Sequence, residues 1–154
     1  MSAQSPVPGT TQEHAVEWLR RVLEERAARH ALPALDEDAL ERIALAAMEC
    51  AEAALAGDVA AELAANRRFH FAILESPGQP HTLRVIRLLW ESTEAYRALY
   101  YNSRDERAAA TDAHERIIEA IRQGDADRLI AELDAHRERA LTVLRPILGD
   151  GDGG

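Results

Sequence analysis

Residues 58–74, with the sequence DVAAELAANRRFHFAIL, predict the fold most clearly. Their apolar side chains recur every three or four positions, which is the period of an amphipathic α-helix. Asn66 and His70 share the apolar face of this helix, because residues four apart stand one above the other. The stretch therefore predicts a core-facing helix that takes an amide and an imidazole into the interior.

The same helical period continues along most of the chain, and strand-type runs of Val, Ile and Thr are missing. We therefore predict a single all-α domain over residues 11–147, between a disordered N-terminal arm at 1–10 and a disordered tail at 148–154. Proline- and glycine-containing turns separate the periodic stretches, and the fourth helix is expected to be the longest. The expected helices span about residues 12–30, 37–56, 59–75, 81–101, 105–123 and 126–145.

The composition argues against several classes of protein. The net charge of −9 disfavours a broad nucleic-acid surface, which needs a basic patch. The single cysteine, Cys50, excludes an intrachain disulfide framework and fits a reducing compartment. No apolar run approaches the ~20 residues of a membrane span. We therefore expect a soluble protein of the cytoplasm.

Two later histidines, His114 and His136, also fall on the inward faces of predicted helices. A lone histidine on an apolar face is usually hydrogen-bonded to a backbone carbonyl and has no further role. Three such histidines, with Asn66 one turn before His70, favour a shared metal ion, which would satisfy every buried imidazole at once. The chain contains no HExxH or CxxC motif, so the pattern leaves both interpretations open.

Several segments together resemble the FCD domain, the C-terminal effector-binding domain of FadR-type GntR transcription regulators. The resemblance covers about residues 12–147, and the order and spacing of its segments are more specific than any one of them. The segments are NRRFH at 66–70, TDAHE at 111–115 leading into IIEAI at 117–121, GD at 124–125, DAH at 134–136, WLRRVLE at 18–24 and LLW at 88–90.

The resemblance implies an antiparallel bundle of six to seven helices around a central cavity, and a homodimer. Many members of this family hold a divalent ion there, often zinc or nickel, through an Asp-x-x-x-His pair and two later histidines. Small carboxylates bind at or beside that ion. Carried over to this chain, the metal ligands are Asn66, His70, His114 and His136.

This sequence departs from the family pattern in two ways. Asn66 stands where the family has a carboxylate, so four neutral ligands would leave the charge of a divalent ion uncompensated in a low-dielectric cavity. We therefore expect the site to prefer an anionic ligand. The winged-helix domain that usually precedes the FCD domain is also missing from the sequence, so we expect no direct DNA binding.

For the anion we expect Arg20 and Arg97, because a guanidinium can fork onto a carboxylate. Thr93 and Tyr100 are weaker candidates on the same helical face as Arg97. The alternative for each arginine is a structural ion pair, with Glu24 in the case of Arg20.

Three functions remain open at this stage. The first is a stand-alone sensor that binds a metal ion and a small organic acid. The second is a metalloenzyme at the same site, since three histidines leave coordination positions free. That alternative lacks a convincing general base, because only Glu132, four residues before His136, could approach the pocket edge. The third is a helical dimerisation module without a ligand.

Overall fold

The computed structural model of the chain describes residues 12–76, 78–94, 97–98 and 103–149. The expected arm at residues 1–10, most of the expected tail and Tyr100 lie outside these residues. Every regular element with assigned bounds in the described residues is helical, which confirms the all-α prediction. The elements are α1 (Gln12–Ala31), a short 3-10 helix (Leu32–Ala34), α2 (Glu37–Ala56), α3 (Val59–Leu74), α4 (Pro80–Ser92), α5 (Arg104–Arg122) and α6 (Ala126–Gly149).

Local side-chain chemistry sets the ends of α2 and α3. Asp36 and Asp58 precede the two helices, and their carboxylates accept hydrogen bonds from the backbone N–H of Ala39 at 2.8 Å and Ala61 at 3.1 Å. Gly57 ends α2 with φ of 70°, a left-handed conformation that residues with a Cβ rarely adopt. This tight connection turns the chain back, so that α3 packs antiparallel against α2.

Helix α4 ends earlier than the sequence predicted. It ends at Ser92, and the hydroxyl of Thr93, the next residue, donates to the carbonyl oxygens of Leu89 at 3.3 Å and Trp90 at 3.2 Å. Such side-chain bonds compete with the backbone bonds that would continue the helix. The helix expected over about residues 81–101 is interrupted at Thr93, and α6 is the longest described helix.

The core lies between the helices, where α2, α3, α4, α5 and α6 each contribute large apolar side chains. Burying each of these contributes about 1.5–3 kcal/mol. None of the described helices is long and apolar enough to cross a lipid bilayer. The large side chains with no exposed surface are Ile43, Phe69, Ile73, Ile86, Ile117 and Leu129.

The inward face of α3 contains a buried acid that the sequence pattern did not single out. Glu62 lies one turn before Asn66 and is fully buried. Its carboxylate oxygens have no hydrogen-bond partner in the described part of the chain. Cys50, predicted to be a buried thiol, donates to the backbone oxygen of Glu62 at 3.7 Å. Burial and the nearby Glu62 raise the pKa of this thiol to about 12, so it is unreactive.

Candidate metal and anion site

Three histidines from three helices meet in the interior. His70 comes from α3, His114 from α5 and His136 from α6. One ring nitrogen from each lies within 4.8 Å of the others, and the rings of His70 and His136 stack with centroids 5.6 Å apart. A zinc ion binds imidazole nitrogen at ~2.0–2.1 Å, so nitrogens this close could hold one ion with small side-chain adjustments.

Asn66 joins this cluster through His114. The Oδ1 atom of Asn66 lies 3.0 Å from Nε2 of His114, and both residues are buried. Without an ion this is a hydrogen bond in which the imidazole N–H donates. Two metal-ligand atoms that each lie ~2.1 Å from one ion, at a right angle about it, would also be ~3.0 Å apart. The separation therefore suits both a direct bond and a shared metal ion.

Two imidazole nitrogens at the cluster lack partners. The Nδ1 atoms of His114 and His136 are buried and form no hydrogen bond within the part of the chain that the structure describes. Leaving such a group unsatisfied costs about 1–3 kcal/mol. The simple alternative, an imidazole satisfied by a backbone carbonyl, therefore does not describe these two nitrogens. The donor set of three imidazoles and one amide fits a bound cation.

Burial keeps the three imidazoles neutral. Loss of hydration lowers the pKa of His70 and His114 well below the usual value. It also lowers the pKa of His136 to about 4, with a further contribution from the neighbouring Arg137. For His70 the other two histidines add to the same effect. Since a metal binds the neutral imidazole, these residues are in the coordinating form at neutral pH.

A cavity of about 70 Å³ opens beside Asn66, His70 and His136. At roughly 10–15 Å³ for each water-sized position, it holds about five to seven. Arg20, Arg97 and Thr93, which the sequence predicted around the ligand, all line this cavity. Other polar and aromatic lining residues were not predicted: Glu17, Glu24, Trp90 and Arg137.

The ring of Trp90 supports two of the arginines. The guanidinium carbon of Arg97 lies 3.7 Å from the ring centroid, and that of Arg20 lies 4.6 Å away. Arg97 also donates to the Thr93 hydroxyl at 2.6 Å and to the Trp90 carbonyl at 3.2 Å. Because the Trp90 ring lies 5.2 Å from the ring of His70, it connects the arginines to the histidine cluster.

Glu24 is the buried carboxylate at the centre of this wall. It accepts hydrogen bonds from Arg20 at 3.3 Å, from the indole N–H of Trp90 at 2.5 Å, and from Arg137. Arg20 and Glu24 therefore form the structural ion pair that was the alternative prediction for Arg20. Arg20 also pairs with Glu17 at 3.0 Å. Burial alone would raise the pKa of Glu24, but Arg20 and Arg137 outweigh it and lower the pKa to about 2.

The structure places Arg137 at the cavity and Glu132 outside its lining. Arg137 directly follows His136, and this adjacency was the one available signal for its place at the cavity. Glu132, the acid weighed as a general base, instead receives a bond from Arg116 at 3.2 Å and does not line the cavity.

We expect Glu24→Gln to destabilise the protein by about 3 kcal/mol, because two buried guanidiniums each lose the buried one of their two charged partners. The matched control is Glu25→Gln, since Glu25 pairs with Arg29 at the protein surface. That change should cost less than about 1 kcal/mol. Urea unfolding followed by tryptophan fluorescence measures both. Equal losses in the two variants would contradict the role assigned to Glu24.

We also expect the metal-free protein to lose stability as the pH falls from about 6.5 towards 4. The pKa of His136 is about 4 when folded and 6.5 when exposed, so the unfolded chain binds more protons in this range. Stability therefore rises with pH across this range. The stability that the ionised Glu24 contributes is lost at lower pH, between 4.5 and about 2. Urea midpoints at pH 5.0 and 7.5 should differ, and less so in His136→Asn; identical wild-type midpoints would contradict the prediction.

Comparisons with known proteins agree with the fold. A family model described as the FCD domain matches residues 16–139. No curated protein matches the sequence. The solved structure of E. coli McbR/YncC superposes with a TM-score of 0.83 at 19% identity, over 91% of this chain and 67% of that chain. The chain thus belongs to the FCD domain family, the effector-binding domain of FadR-type GntR regulators.

Proposed function

We propose that this chain is a sensor domain that binds a divalent metal ion and, beside it, a small organic acid. The observation that supports this most is the convergence of His70, His114 and His136, which bring one ring nitrogen each to within 4.8 Å of the others. Membership in a family of effector-binding domains agrees with a binding role.

Asn66, His70, His114 and His136 would hold the ion. Three nitrogen donors and one oxygen donor suit zinc or nickel, and they leave positions free for an acid. The ion would supply a concentrated positive charge that polarises and binds a carboxylate oxygen. Arg20 and Arg97, fixed on Trp90, would orient the acid through charge-assisted hydrogen bonds.

A binding role is favoured over the metalloenzyme because a hydrolytic site needs a general base beside the ion. Glu24, the buried carboxylate of the cavity, is bonded to two arginines, and its pKa of about 2 makes it a poor proton acceptor. Glu132 is paired with Arg116. Glu24 stabilises the cavity wall, Glu132 lies outside the cavity lining, and neither is placed to activate water.

We further propose that the domain itself does not contact DNA and acts in the cytoplasm. Its net charge of −9 opposes binding to a phosphate backbone. The effect of ligand binding on DNA would then be passed on by another domain or chain.

Metal binding can be measured by titrating chelator-treated protein with Zn²⁺ and Ni²⁺ in a calorimeter. We expect one ion per chain, and a loss of at least about 100-fold in affinity for His114→Ala, since one ligand of four is removed. His30→Ala and His81→Ala are matched controls, because both histidines are exposed. Wild-type affinity no higher than that of His114→Ala would contradict the site.

We also propose the homodimer that the family resemblance implies. Helices α1 and α4 pack together, and each exposes apolar side chains: Trp18, Leu19 and Val22 on α1, and Val85 and Leu88 on α4. Exposed apolar area of this kind marks a contact surface. Sedimentation velocity should give a dimer at micromolar concentration, and a monomer for the Val22→Glu, Leu88→Glu double variant. A wild-type protein that stays monomeric would contradict the pairing.

A further inference from the structure

The outer face of α2 carries apolar side chains that the rest of the described chain leaves uncovered. Leu45 is 50% exposed, Met48 is 53% exposed and Leu55 is 91% exposed. They lie three and seven positions apart, so they form one stripe along the helix. The buried residues of α2, among them Ile43 and Cys50, lie on its opposite side. A continuous exposed stripe of this kind marks a contact surface.

Two acidic residues belong to the same stripe. Glu41 lies one turn before Leu45, and Glu52 lies one turn after Met48. Both acids are exposed, and neither forms an ion pair within the part of the chain that the structure describes. The stripe therefore combines uncovered apolar surface with unpaired negative charge. The name α2 ridge is used below for Glu41, Leu45, Met48, Glu52 and Leu55.

The α2 ridge lies apart from the surfaces described above. Helix α2 packs mainly against α3 and α5, whereas the apolar side chains of the proposed dimer surface are on α1 and α4. None of the ridge residues lines the cavity beside the histidines. The proposed dimer therefore leaves the ridge open to a different partner.

We propose that the α2 ridge binds a basic amphipathic helix of a partner protein. Leu45 and Met48 provide the apolar contact, as in other complexes in which an amphipathic helix lies on an apolar surface. Glu41 and Glu52 pair with cationic side chains at the two ends of that contact, which gives the complex its direction of charge. The proposal does not depend on the metal site.

The same charges argue against a second copy of the ridge as the occupant. A two-fold axis that placed Leu45 of one copy against Met48 of the other would also place Glu41 against Glu52. Like charges would then face each other at both ends of the contact, which is unfavourable. A partner of opposite charge suits both parts of the ridge.

The spacing along the ridge specifies the partner helix. Glu41 and Glu52 are eleven residues apart, which is three turns and about 16 Å at a rise of 1.5 Å per residue. Leu45 and Met48 lie four and seven residues after Glu41, and the same two steps are found when counting back from Glu52. A partner helix of either direction therefore needs cationic residues eleven positions apart, with apolar residues four and seven positions after the first.

A contact of about three helical turns is small. Interfaces below roughly 1,200 Å² belong to weak and transient complexes, so we expect an affinity in the micromolar range. Because the charged groups of the ridge are exposed, salt screens their attraction for the partner.

The test measures binding of a synthetic alanine-rich helical peptide to the metal-free full chain. The peptide carries Arg, Leu, Leu and Arg at the spacing given above, and fluorescence anisotropy of its label reports binding. We expect micromolar affinity at roughly 50 mM salt and at least about fivefold weaker binding at roughly 500 mM. A reference peptide with both arginines moved to the opposite helix face should bind at least about fivefold more weakly.

Two double variants separate the apolar and the charged parts of the ridge. Leu45→Ser with Met48→Ser removes the apolar contact and should weaken peptide binding at least about tenfold. Glu41→Gln with Glu52→Gln keeps the shape of the ridge and should weaken binding about fivefold at low salt. Circular dichroism should show unchanged helix content in both, because the substituted side chains are exposed.

The matched control for the charge variant is Glu25→Gln with Glu94→Gln. It removes the same net charge from the protein surface, on α1 and just after α4, away from the α2 ridge. We expect the control to bind the peptide as the wild-type protein does. A loss equal to that of Glu41→Gln with Glu52→Gln would show general attraction to an acidic protein and would overturn the assignment to the ridge.

The other outcomes are equally distinct. Unchanged binding in both ridge variants, or equal affinities for the two peptides, would overturn the docking site. Tighter binding of a peptide with Glu in place of Arg would overturn the charge of the partner. Loss of a wild-type dimer in Leu45→Ser with Met48→Ser, seen by sedimentation velocity, would assign the ridge to a second copy instead. Failure of the zinc titration would overturn the proposed function alone, since the peptide is measured on metal-free protein.

Discussion

The buried carboxylate of Glu24 is the interaction on which the cavity depends. It accepts from Arg20 on its own helix α1, from the indole N–H of Trp90 on α4, and from Arg137 on α6. A buried charge is tolerated only when it is paired and hydrogen-bonded, so these three donors hold three helices around one point. Since Arg137 follows His136, the same bond also fixes the position of a predicted metal ligand.

The site buries polar groups of a kind that usually stay at the protein surface. Burial makes the three imidazoles neutral, which prepares them to coordinate, and leaves two of their nitrogens without partners. This arrangement costs folding free energy in the empty protein. A ligand that binds only the folded state would recover that cost as added stability, so occupancy and stability should be coupled.

Most of the fold could be predicted from short-range patterns. The limits of α2 and α3 were predictable because Asp36, Gly57 and Asp58 act on neighbouring backbone groups. The interruption of the fourth helix at Thr93 was not predicted, because the bonds that the Thr93 hydroxyl makes to two carbonyls of α4 cannot be read from apolar periodicity. The burial of Glu62 was not predicted either, because its sequence neighbours suggested a solvated acid.

The sequence by itself determined the helical fold and most of the residues that face inward, because helical period and capping depend on residues within a few positions of one another. The order and spacing of its segments also indicated the family. The sequence also placed Asn66, Arg20 and Arg97 among the candidates. Only the tertiary structure decided which side chains meet across helices. The contacts of Glu24 with Trp90 and Arg137 join residues 66 and 113 positions apart, and no local pattern specifies such pairs. The polar wall of the cavity follows from those contacts.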